Sequence, residues 1–170
     1  MKKMDNKGFS LVELIIVIAI MAVLIVVLAP QYLKYVEKSR NSTDVTNATE
    51  IVTAIQVYAA DPDVSTGDVL SAGTSSITVN GTNTTWTGSV NNLDKALKEA
   101  GFDVTGTGTA ASLATTCVSK TAWTSYIIEV TVESGGSVKF EYDAAGTTNA
   151  GQNFKDAMAG KKIGSGTPEP

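Results

Sequence analysis

The chain has 170 residues, enough for one domain with an appendage but short for two independent cores. Its formal charge of −4 and pI near 4.8 argue against nucleic-acid binding through a broadly basic face. With no His and a single Cys, Cys117, it lacks the means for His-based acid–base chemistry, a zinc cluster or an intrachain disulfide.

The first element in chain order is an apolar run. Residues 9–29 are almost all Leu, Ile, Val, Ala and Met, whereas Thr, Ser, Gly, Asn and Asp dominate from Arg40 onward. About 21 residues rising 1.5 Å each cover roughly 32 Å, enough to cross the hydrocarbon of a bilayer. An ordinary secretory signal fits poorly: the run is too long, and its end, "VVLAPQYLKY", offers only Ala29 before an unfavourable Pro30. A plain anchor accounts for the length but leaves a carboxylate, Glu13, inside the run with no evident partner, at a cost of about 2.5–3.5 kcal/mol. In a third reading, cleavage after Gly8 removes the basic leader "MKKMDNKG" and gives Phe9 an α-amino group. Residues four apart are helix neighbours, so that amine can meet Glu13 of its own chain or of an adjacent copy.

"KGFSLVELIIVIAIMAVLIVVLAP" resembles the N-terminal signature of type IV pilins. The resemblance covers about a seventh of the chain and is specific, because a short basic leader, a Gly-Phe junction, a Glu and a long apolar run occur together. It implies that a prepilin peptidase cuts after Gly8 and N-methylates Phe9, that Glu13 and Phe9 serve polymerisation, and that Pro30 is the helix-bending proline. It also implies a cytoplasmic leader and an exported C-terminal portion; Lys2, Lys3 and Lys7 before the run and Lys34, Lys38 and Arg40 after it leave orientation nearly tied by charge alone.

Beyond Pro30, which lacks the amide hydrogen of the helical ladder, Val45, Ala48, Val52, Ile55 and Ala59 recur at helical steps. The helix is therefore expected to run to about Ala60, a rise of roughly 78 Å from Phe9 if unbroken. "DPDVSTGD" stops it, and with Ala72 where an EF-hand needs its Glu, this reads as a solvated turn rather than a calcium loop.

"SSITVNGTNTTWTGSV" predicts a hairpin around Asn80-Gly81, with a loop extending as far as Asn83. "NNLDKALKEAG" predicts a short helix capped by Asn92 and stopped at Gly101. "SLATTCV" offers one more strand. "SYIIEVTVE" and "SVKFEY" alternate as an antiparallel pair with Tyr126, Ile128, Val130, Val132, Val138, Phe140 and Tyr142 on one apolar face. That face needs cover, and the amphipathic helix is the obvious candidate. The aromatic residues and Cys117 read as packing. Phe154 and Met158 on a short helix are expected to hold the C-terminal segment, which cannot use the paired Cys common in relatives from diderm bacteria; a monoderm source follows as an expectation. The Asn-x-Ser/Thr matches at Asn41, Asn47, Asn80 and Asn83 are weak evidence for glycans.

The expected architecture is α+β, a long N-terminal helical spine packed against an antiparallel sheet head. Its segments are a leader at 1–8, a transmembrane and polymerisation helix at 9–30, its amphipathic continuation at 31–60, a head at 61–163 and a tail at 164–170. The resemblance implies a non-enzymatic subunit without cofactor or metal, held singly in the cytoplasmic membrane and then polymerised into a surface pilus for adhesion, motility or biofilm formation. Its implied partners are other copies, minor pilins, the prepilin peptidase, an assembly ATPase with its membrane platform, and host or abiotic surfaces. The rivals are a pseudopilin of a type II secretion or DNA-uptake apparatus and a non-polymerising membrane-anchored adhesin.

Overall fold

The computed structural model describes residues 10–161 and 163. Gly8, Phe9 and the 164–170 tail lie outside the described residues. Contacts divide the chain into two units, residues 1–38 and 39–170.

Helix α1, Leu11–Ala60, belongs to both, with Pro30 inside it. Its polar half persists as helix although rich in Thr, because Ala48, Ile51, Val52 and Ile55 are packed into the core, while Thr43, Thr46, Thr49 and Thr53 each donate their hydroxyl to the carbonyl four residues back, at 2.8–3.1 Å. The hydroxyls thus take a helical partner instead of competing for non-helical backbone geometries.

In the second unit six strands form one antiparallel sheet: β1 (Gly73–Val79), β2 (Thr84–Gly88), β3 (Val104–Thr105), β4 (Ser112–Leu113), β5 (Ser125–Val132) and β6 (Val138–Ala145), in the order β3-β4-β2-β1-β5-β6. The β1–β2 hairpin turns through residues 80–83. There Asn80 Oδ1 accepts the amides of Thr82 and Asn83, at 2.9 and 3.1 Å, so Asn80 supplies the turn by its side chain. At the other end of β2, a Cβ on Gly88 would lie 2.4 Å from Ser75 Cα, so only glycine allows these two strands to approach so closely. Strand β5 buries Tyr126, Ile128, Val130 and Val132, while in β6 Val138, Phe140 and Tyr142 are half-buried and Lys139 and Glu141 exposed, the alternation expected. "SLATTCV" contributes only the two residues of β4, and Cys117 sits in the loop that follows.

Helix α2, Leu93–Glu99, starts at Asn92 but is not capped by its side chain. Asn92 adopts φ 63°, and its Nδ2 donates to Val69 O at 3.0 Å, so it ties the preceding loop instead. Gly101 ends the helix at φ 91° as expected, letting Phe102 N reach Leu97 O at 3.0 Å. Helix α3, Ala150–Met158, lays Phe154 into an aromatic cluster. The ring stacks on Tyr126 at 4.6 Å and meets Trp123 edge-on at 5.1 Å. Buried Ala48, Ile51, Val52 and Ile55 of α1 share one core with Ile77, Val79, Trp86, Ile128, Val130 and Phe154. The polar half of α1 and the sheet therefore cover each other's apolar faces.

Candidate functional site

The start of α1 is the first candidate. Ser10 precedes the helix; its Oγ accepts Val12 N at 3.3 Å, and its own amide donates to Glu13 Oε2 at 2.8 Å. This reciprocal pair is a capping box, Ser-x-x-Glu, in which each side chain satisfies an amide that the helix start would leave without an acceptor. The Ser10-Leu11-Val12-Glu13 spelling was a legible signal that the reading of an unpartnered Glu13 passed over. Glu13 does have a partner within its own chain, which lowers the cost of carrying it in an apolar run and holds one oxygen at the helix start. Its second oxygen keeps acceptor capacity for a cation.

From Leu11 to Leu28 the large apolar side chains are all exposed, as with Leu14 at 62% and Val26 at 74%. An 18-residue window of α1 is apolar enough to cross a bilayer, with none of it buried. Such a surface far exceeds the few hundred Å² that water-soluble monomers leave bare, so lipid or other protein must cover it.

A second cluster lies in the unit of residues 39–170 and was absent from the sequence reading. Asp44 is wholly buried, and four donors converge on its carboxylate. Val118 N reaches Oδ1 at 2.8 Å; Ser119 N, Trp123 Nε1 and Cys117 Sγ reach Oδ2 at 2.9, 2.8 and 3.3 Å. The loop so gripped also donates Cys117 N to Asn80 O at 2.8 Å, and its Thr115 and Ala122 carbonyls accept the hydroxyls of Thr84 and Thr147, both at 2.7 Å. One carboxylate on α1 thus fastens the loop between β4 and β5, which is itself hydrogen-bonded to the β1–β2 hairpin and to Thr147 ahead of α3.

Cys117 is buried, as expected of a packing residue, but it also donates. Burial first, then the adjacent Asp44 charge, pushes its thiol up from 9.0 to about 12. Because the folded value is the higher one, its contribution to stability is complete below pH 9 and declines as pH rises towards 12. Iodoacetamide at pH 8 should therefore label Cys117 in unfolded protein and leave it at least tenfold slower to react in native protein, followed by mass spectrometry. Tyr126 is raised as well, chiefly by burial and then by Asp44.

No group of three or more His, Cys, Asp or Glu among the described residues is placed to hold a metal ion. A family model, the prokaryotic N-terminal methylation motif, matches residues 3–29. No curated protein and no solved structure matches the chain. The motif and the α+β fold indicate a structural protein, and the motif implies processing by a prepilin peptidase within a pilus-type system. Residues 3–29 carry the methylation motif found at the amino terminus of type IV pilin-like and pseudopilin precursors, which supports such a precursor here.

Proposed function

We propose that the chain is the structural subunit of a type IV pilus, polymerising through α1 into a surface filament. The observation that carries this reading is the bare apolar surface of residues 11–28 with one carboxylate held at its start, inside the methylation motif. Cleavage after Gly8 creates an ammonium on Phe9, which is then N-methylated. A neighbouring subunit's Glu13 receives that ammonium as the helix leaves lipid for a protein bundle. Repeating the same head-to-tail contact yields an open fibre rather than a closed ring. Lipid is already apolar, so leaving it gains little hydrophobic free energy; helix packing and the charge pair give direction. An assembly ATPase acting through a membrane platform supplies the work. Before assembly the chain stays in the cytoplasmic membrane with its head outside, and Pro30 gives the helix a place to bend.

Replacing Gly8 by Leu tests the first step. Uncut protein should accumulate in the membrane, with less than a tenth of the wild-type amount starting at Phe9 by N-terminal mass spectrometry. A chain still beginning at Phe9 would refute the cleavage assignment. Pseudopilin precursors share the motif, so gene deletion followed by electron microscopy separates the two uses. Lost secretion with surface filaments intact would favour the pseudopilin.

A further inference from the structure

Just past the apolar run, α1 carries "YLKYVEK", residues 32–38. Tyr32 is 67% and Tyr35 71% exposed, and Lys34 and Lys38 are exposed too, whereas Val36 and Glu37 are half-buried. Successive helical residues turn by about 100°, so Lys34, Lys38, Tyr35 and Tyr32 fall in that order within an arc of about 160°, with Leu33, Val36 and Glu37 outside it. Two bare phenol rings and two ammonium groups on one face suit neither hydrocarbon nor open water. The spacing along the axis says where they belong. Tyr32 stands 21 residues beyond Leu11, a rise of about 32 Å against a hydrocarbon thickness of about 30 Å. With the apolar run in the bilayer, the phenols reach the headgroup level, where tyrosine's apolar body and polar tip are both satisfied. The two ammonium groups lie at the same level or slightly further out, within reach of lipid phosphates.

We propose that Tyr32, Lys34, Tyr35 and Lys38 form a docking face for anionic phospholipid headgroups, which holds the unassembled subunit at a set depth in the membrane. This rests on residues 9–30 spanning the bilayer. The face is a retention device: a subunit leaving for a fibre must release two rings and two lipid phosphates after its apolar run has begun to move. Anionic lipid therefore slows extraction, and lysine neutralisation speeds it.

The test pulls single full-length chains, tethered at the C-terminus, from supported bilayers at constant force. The bilayers are pure phosphatidylcholine or phosphatidylcholine with a quarter phosphatidylglycerol. Wild type should leave the anionic bilayer about 25-fold more slowly, about fivefold per lysine, and 1 M salt should erase the difference. Lys34→Gln/Lys38→Gln should leave both bilayers at one rate. Tyr32→Ala/Tyr35→Ala should leave both several-fold faster while keeping the ratio between them. Equal wild-type rates, or a lipid effect that survives the double lysine substitution, would overturn the proposal. Protection of Lys34 and Lys38 from acylating reagent in fibres but not in anionic vesicles would do the same, assigning the face to a second copy. Release of the chain from vesicles by alkaline carbonate would remove the spanning reading itself, whereas spanning without lipid dependence defeats the docking face alone.

Discussion

Glu13→Gln should insert in the membrane, lose its leader after Gly8 and keep its helix start, yet enter fibres at least tenfold less than wild type. Gln preserves the capping box, because its side-chain oxygen still accepts the Ser10 amide that Glu13 Oε2 holds at 2.8 Å. It removes only the charge. Leaving one member of a desolvated charge pair without its partner costs about 2–5 kcal/mol at an interface, and each 1.4 kcal/mol is about tenfold in an equilibrium. Glu13→Ala loses both the cap and the charge and should do no better. The comparison is informative because the capping box supplies a rival explanation for Glu13. If Gln assembles like Glu while Ala does not, the carboxylate serves the helix start and the intersubunit ion pair is wrong. Quantifying processed subunit in sheared fibres against the membrane fraction distinguishes these outcomes.

Asp44→Ala should destabilise the second unit by about 3–5 kcal/mol, because several buried neutral donors lose their acceptor at about 1–3 kcal/mol each and the cavity lets water recover part of that. Two backbone amides, an indole N–H and a thiol would lose their shared acceptor. Against a total of about 5–15 kcal/mol for a domain of this kind, the loss should lower the melting temperature by roughly 10–15 °C. Trp123 provides the readout, since its indole loses a 2.8 Å bond and its emission should shift as the loop loosens. Asp63→Ala, at an exposed position, is the control and should move stability by less than about 0.5 kcal/mol. A melting temperature for Asp44→Ala within a degree or two of wild type would mean the loop is held by packing alone.

Asp44 also marks where reading the residues in order stops. The buried stripe of α1 follows Asn41, Asp44, Ala48, Ile51, Ile55 and Tyr58, spaced by three and four residues. The stripe expected from apolar residues, Val45 to Ala59, shares Ala48, Val52 and Ile55 with the buried set, but Val45 and Ala59 are only half-buried. The apolar criterion left Asn41 and Asp44 out of the stripe because it could not see the donors that would satisfy a buried carboxylate. Those donors lie 73–79 residues away along the chain. The absent disulfide was legible, and what fastens the C-terminal elements in its place was legible only in part. Phe154 was expected there and does pack among Trp123, Tyr126 and Tyr142; Asp44 is the second fastening.

By itself the sequence determined what local chemistry governs. Hydropathy and length set an apolar helical run, period-two alternation set the faces of β5 and β6, and Asn80 and Gly101 set a turn and a helix stop through their own backbone and side-chain preferences. The Ser10–Glu13 capping box belongs here as well, spelled out within four residues. Only the tertiary structure decided the sheet order, with β1 between β2 and β5, the diversion of Asn92 from cap to loop tie, and the burial of Asp44. Each of these depends on groups distant in sequence meeting across the fold, and no short-range pattern encodes which donor a buried carboxylate will find.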